Sequence, residues 1–134
     1  MARIVVDTEL KKIYASKALR WCMDNLGVNK RKKTYPKISV RIRFKSIEEK
    51  MCSGTYYHEE NRIIIYDLNC KSLEDVVGTV IHEYTHYLQS TKKYWEYFKT
   101  YYYSNHPYEL QARRNEVKYT KKCLRSVRKL VYNF

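Results

Sequence analysis

Residues Val76–Gln89 read VVGTVIHEYTHYLQ and contain His82-Glu83-Tyr84-Thr85-His86, an HExxH pattern. On a helix, residues four apart lie one turn apart on the same face, so His82 and His86 can hold one metal ion together. Glu83 is turned about 100° from His82. It falls beside such an ion and within reach of a water molecule on it. Two imidazoles with an adjacent carboxylate are the layout of zinc-assisted hydrolysis, in which the carboxylate takes a proton from a water acidified by Zn²⁺.

The flanking residues predict that this stretch is helical. Ser72 with Asp75 reads as a capping pair, and Glu74 and Asp75 place negative charge in the first turn. Leu73, Val76, Val77, Val80, Tyr84, Tyr87 and Leu88 form one apolar face, with His82 and His86 on the other side. Gly78 stands one turn before His82 on the histidine side. Glycine there weakens a helix by roughly 1 kcal/mol, which implies close approach of another backbone. Gln89 stands on that same side, past the pair.

The chain has 134 residues, enough for a single domain with one modest core. Tyrosine supplies 15 residues, so core and groove linings are expected to be tyrosine-rich. No apolar run is long enough to span a bilayer, and MARIVVDTEL lacks the apolar core of a signal peptide. Cys22, Cys52, Cys70 and Cys123 are widely spaced without a CxxC pair, which reads as reduced thiols in a cytoplasmic protein. The net charge of +13 suits nucleic acid, an acidic protein or another anionic partner.

In chain order, Arg3–Val6 is a short strand or extended lead-in. Thr8 caps a helix over 8–26 that ends at Gly27, with Leu10, Ile13, Tyr14, Lys17, Trp21 and Asn25 sharing a face and Ala18, Cys22 and Leu26 flanking it. Asn29–Lys37 is a basic, solvated loop. Lys37–Phe44 alternates, with Ile38, Val40, Ile42 and Phe44 inward, and predicts a half-buried strand. Thr55–His58 and Arg62–Asp67 predict a hairpin turning at Glu59-Glu60-Asn61, with Ile63–Ile65 covered on both faces. Tyr94–Tyr103 is an aromatic segment whose spacing fits a helix packed on the core. Pro107 opens a long helix to about Val131. Its apolar stripe is Leu110, Val117, Leu124, Val127 and Val131, flanked by basic Arg114, Lys118, Lys121 and Arg125. The expected fold class is α+β. A small mixed or antiparallel sheet of three to four strands packs on the N-terminal helix and the HExxH helix.

A catalytic zinc takes three protein ligands and leaves one position open. The residues themselves leave Glu109, His106 and Glu116 as candidates for the third. HEYTHYLQ followed by HPYELQA resembles the zincin metallopeptidases whose third ligand is a glutamate on a second helix, the gluzincins, and among them small phage-type members. The likeness covers roughly residues 53–116. It implies a minimal zincin-like domain in which Glu109, opening Glu109-Leu110-Gln111-Ala112, is the third ligand, carried by the long C-terminal helix. Many gluzincins have an acid or amide after that alanine to orient a ligand histidine. Here Arg113 stands in its place, and Glu116 is available for the role. His106 is then an alternative ligand, or a loop or cap residue. The resemblance further implies a polypeptide substrate lying along Thr55, Tyr56, Tyr57 and His58 as an edge strand. An oxyanion donor could come from the tyrosines of 101–108 or from Tyr119. The competing expectation is a basic nucleic-acid-binding protein with a structural or inactive zinc site. It rests on the basic loop, on Arg41 and Arg43, and on the C-terminal basic stripe.

Overall fold

The computed structural model describes residues 7–132, so the extended segment expected at Arg3–Val6 lies outside the described residues. Four helices and three strands follow in the order α1 (Thr8–Leu26), β1 (Lys37–Arg41), β2 (Gly54–Tyr57), β3 (Arg62–Tyr66), α2 (Leu73–Leu88), α3 (Thr91–Thr100) and α4 (Pro107–Tyr132). The class is α+β. The sheet is mixed, in the order β1-β3-β2, with β1 parallel and β2 antiparallel to the central β3. Central placement explains the Ile63–Ile65 run: all three are buried, as a strand covered on both faces requires.

The HExxH helix, α2, is the element against which the others pack. Its start is capped as the sequence suggests: Ser72 Oγ accepts from the Asp75 N–H at 3.0 Å, and Asp75 reaches back to the Lys71 N–H at 3.0 Å. Val76, Val77, Val80, Ile81, Tyr84 and Tyr87 are all buried. The loop after α1 closes the other end. Lys32 donates to the Tyr87 carbonyl at 2.8 Å and to the Tyr56 hydroxyl at 3.0 Å, a cation at the negative end of the helix dipole. Asn29 donates to the Tyr87 carbonyl at 3.1 Å. Lys32 is therefore not a solvated loop residue. Burial pulls its ammonium down to about 8.

Several local expectations change. Asp7, not Thr8, caps α1, accepting from the Glu9 N–H at 3.1 Å, while Thr8 bonds Asp67 at 2.8 Å. The buried face of α1 runs through Tyr14, Ala15, Ala18, Leu19, Trp21 and Cys22, leaving Ile13 outside, because the small residues let α1 approach α2 closely. The strand expected to reach Phe44 stops at Arg41. Its register partner there is Tyr66, the last residue of β3, so Ile42 has nothing to pair with. Arg41 turns instead to Glu49 at 2.8 Å.

The aromatic segment does not pack wholly on the core. No residue of α3 is fully buried, and Trp95 and Phe98 are largely exposed. On α4, Leu124 and Val127 face inward as expected, but Leu110 and Val117 point to solvent. Their places on the inner face are taken by Glu109 and Ala112, with Glu116 beside them, because that part of the helix meets the histidine side of α2.

All four cysteines are free thiols. No helix among the described residues is long and apolar enough to cross a membrane.

A buried ion pair ties α1 to the turn that leads into α2. Lys11 Nζ lies 2.7 Å from Asp67, with both side chains under one-tenth exposed. Burial opposes ionisation of Asp67, but the bonds from Lys11 and Thr8 outweigh it and hold the carboxyl below its usual range. Asp67→Ala, which strands the ammonium, is expected to cost about 3–5 kcal/mol in urea denaturation. Lys11→Met combined with Asp67→Leu is expected to recover most of that loss.

Candidate metal centre

Two helices build the site. His82 and His86, one turn apart on α2, face α4, and their rings lie 5.2 Å apart. Glu109, in the first turn of α4, reaches between them. Its Oε2 is 3.1 Å from His82 Nε2 and its Oε1 is 3.0 Å from His86 Nε2. Glu83 Oε2 is 4.0 Å from His82 Nε2, beside the cluster. The group His82, Glu83 and His86 could hold a metal ion, since their candidate ligand atoms all fall within 4.8 Å of one another. Glu109 stands closer to both imidazole nitrogens than Glu83 does.

The outer nitrogen of each imidazole is also engaged. Glu116 Oε1 accepts from His82 Nδ1 at 2.9 Å. Gln89 Oε1 accepts from His86 Nδ1 at 2.8 Å. The orientation of that amide follows from its other end, where Nε2 donates to the Tyr108 carbonyl at 3.0 Å and to Gln111 at 2.8 Å. With a carboxylate and an amide oxygen as acceptors, both rings carry a proton on Nδ1 and direct Nε2 at Glu109. Tyr94 donates to Glu109 Oε1 at 3.2 Å and steadies the carboxylate.

Gly78 permits this closeness, against side chains and not the backbone its position suggested. A methyl group at Gly78 would stand 3.3 Å from Thr120 Oγ1 and 3.4 Å from Glu116 Oε2.

His106 lies outside the cluster. Its Nε2 bonds the Tyr94 carbonyl at 3.0 Å and its Nδ1 accepts from the Tyr108 N–H at 3.1 Å, so neither nitrogen is left for a ligand. It caps α4. Arg113 takes no part at the histidines either. It bonds the Ser104 carbonyl at 3.1 Å and stacks over Tyr103 at 5.6 Å.

A cleft of about 330 Å³ opens between the site and β2, lined by Gly54, Thr55, Tyr56 and His58 on one side and by Glu83, His86, Tyr94, Tyr103 and Glu109 on the other. β2 is a sheet edge, but it ends at Tyr57, so His58 lies just beyond it. His58 is half-buried, with Tyr94 4.8 Å and Trp95 5.6 Å away. Burial, with help from Lys32, pushes it down to about 4 and keeps it neutral. Of the tyrosines left open as oxyanion donors, Tyr103 lines the cleft, while Tyr119 packs on Trp21 at 6.1 Å.

The partners of Gln89, Tyr94 and Arg113 emerge only in the fold; in the sequence Gln89 is marked by its place on the histidine face and Arg113 by its place after Ala112, and Tyr94 by nothing. A scan against family models, a search of curated proteins and a search of solved structures each return no match for this chain.

Charge explains the protonation of the site. Burial would lower His82, but the hydrogen bonds to Glu109 and Glu116 and the Glu83 charge outweigh it and raise it to about 10. His86 is raised in the same way, burial again being overcome, here by Glu109 and Glu83. Burial would raise Glu109, but the two imidazoles hold it well below the carboxylate range. Glu83 is pushed up, chiefly by burial.

In the metal-free protein these shifts tie stability to pH. The folded value of His82, about 10, lies above its ordinary 6.5, so its stabilisation is complete below pH 6.5 and is lost as pH rises towards 10. Glu109 is depressed below its ordinary 4.5, so its share is present above pH 4.5 and is lost on acidification. Urea denaturation in chelator is expected to give a higher midpoint at pH 5.5 than at pH 9, with a smaller difference in His82→Gln.

Proposed function

We propose that this chain is a metallopeptidase of gluzincin type. In this reading His82, His86 and Glu109 hold Zn²⁺, and Glu83 is the general base. One observation carries the reading: two imidazoles, each anchored at Nδ1, direct Nε2 at a shared carboxylate, with a second carboxylate beside them facing an open cleft. The donor set suits zinc, which takes imidazole nitrogen and carboxylate oxygen. Ligand atoms about 2.0–2.2 Å from a tetrahedral ion stand about 3.3–3.6 Å apart, so the separations of 3.1 and 3.0 Å, made through the two oxygens of Glu109, need to open only slightly to admit one. Structural zinc sites are closed by four protein ligands, whereas three converge here and the cleft supplies the open side.

When bound, the zinc supplies Lewis acidity and lowers the pKa of a water molecule towards about 7. The remaining work falls to the chain. Glu83, made more basic by its burial, accepts a proton from the attacking water and passes it to the leaving amine. Tyr103 is 60 % exposed, yet its phenol is pushed up by desolvation and by the Glu109 and Glu83 charges. It stays protonated and can donate a hydrogen bond to the oxygen that gains charge at the attacked carbonyl. Arg113 holds the turn that carries Tyr103. Glu116 and Gln89 hold the imidazoles, and Tyr94 holds Glu109. The substrate is a polypeptide whose main chain adds to the free edge of β2 at Thr55, Tyr56 and Tyr57.

The test separates metal binding from catalysis. Glu83→Gln is expected to retain one equivalent of zinc and to lose cleavage of an unfolded protein such as casein by about 10²–10⁴-fold, the range for a general base. Glu109→Ala is expected to lose the zinc as well. Parent-like cleavage by Glu83→Gln would rule out the mechanism.

A further inference from the structure

The outer face of α4 is a second feature of the chain, independent of the peptidase reading. Residues 107–132 hold eight of the 27 basic residues and two of the 14 acids. Both acids, Glu109 and Glu116, turn inward to His82. Every charge that α4 presents to solvent on its outer side is therefore positive. Arg114, Lys118, Lys121, Arg125 and Arg128 follow one another at steps of four and three residues, and all are exposed. By helix geometry they share one stripe, on the side of α4 opposite Ala112 and Cys123, which are buried. Lys122 and Lys129 widen the stripe on one side. Successive cations stand about 5 Å apart along the axis, over roughly 20 Å.

Among the described residues these cations have no acidic partner. The ion pairs use Lys11, Lys12, Arg20 and Arg41 as their cations, together with His82 and His86, and none from α4. The same comparison weakens the other basic candidates. Arg41 is taken by Glu49 and Lys32 by the end of α2, so the strand face and the basic loop present fewer free charges than their sequences suggested. A row of like charges held this close is self-repelling. A rigid polyanion relieves that repulsion, and duplex nucleic acid offers one negative charge per roughly 1.7 Å of its axis.

The chemistry narrows the partner. From Arg114 to Arg128 no exposed aromatic ring stands between the cations, as a surface for stacking single-stranded bases would need: Tyr119, beneath Lys118, turns to Trp21, and the exposed Tyr132 follows only at the end of the stripe. Membrane insertion needs a continuous apolar face on the helix; on α4 Leu124 and Val127 are buried in the core, and the exposed Leu110, Val117 and Leu130 are too scattered around the axis to form one. We propose that the outer face of α4 docks on the phosphate backbone of duplex nucleic acid, without reading its sequence, while the cleft on the inner side of the same helix stays free.

The test uses the full chain and a fluorescein-labelled 20-base-pair DNA duplex of mixed sequence, followed by anisotropy from 100 to 400 mM NaCl. The parent is expected to bind, with log affinity falling linearly against log salt at a slope no steeper than about −6, the limit for seven phosphate contacts. Lys118→Glu, Lys121→Glu and Arg125→Glu together are expected to lose about 100-fold in affinity at 100 mM and about three units of slope. Lys30→Glu, Arg31→Glu and Lys33→Glu make the same change in net charge on another surface and are expected to lose less than about 5-fold. The Gln triple at 118, 121 and 125 should show an intermediate loss, with thermal melting checking that each variant is folded. Equal losses in the two Glu triples would overturn the assignment to α4. Failure of the parent to bind the duplex at 100 mM NaCl, or tighter binding to phosphatidylserine vesicles or poly-glutamate, would overturn the choice of partner.

Discussion

Two imidazoles and two buried carboxylates, Glu83 and Glu109, meet where α2 faces α4, with the more exposed Glu116 at their rim. Such an assembly must balance its charge internally, because burying an unpaired carboxylate costs several kcal/mol. In the metal-free chain the balance comes from protons. His82 and His86 are raised although burial favours their neutral forms, and Glu109 is lowered although burial favours its protonated form. A divalent cation would meet the same need with two charges at one point. The rest of the molecule positions this interface. α1 and the sheet brace the apolar side of α2, Gly78 admits Thr120 and Glu116, and Gln89 joins the end of α2 to α4.

The α2 part of the site was legible because helix periodicity is local. His82, Glu83 and His86 lie within five residues, and the Ser72–Asp75 cap marks where their helix begins. Glu109 was reached through the pattern at Glu109–Ala112 and not through physics, since nothing in the chain states which residue of a distant helix will cross the gap. The stripe on α4 was misread for the same reason. Apolar spacing selected Leu110 and Val117, yet the face that meets the histidines is polar, so the inward positions there are Glu109 and Glu116. The early end of β1 depended on where β3 stops, and the burial of Lys32 depended on where α2 ends. Both are tertiary facts. Tyr94 and Arg113 act through partners on other elements, which no local pattern reveals.

α4 has two distinct sides. Its acids face the histidines and its bases face solvent, so the strong positive net charge of the chain is not spread evenly over this helix. The cleft between β2 and the histidines opens on the inner side and the cationic stripe lies on the outer side. A partner held by one need not obstruct the other, and the two surfaces can be altered separately.

Zinc-edge X-ray absorption on the full chain carrying one equivalent of Zn²⁺ tests the central claim most directly. The proposed site predicts nitrogen and oxygen scatterers alone at about 2.0–2.2 Å, with the outer-shell signature of two imidazoles. Sulfur at about 2.3 Å, as ligation by Cys52 at the rim of the cleft would give, would contradict it. So would the signature of fewer than two imidazoles, or a chain that releases its zinc on desalting.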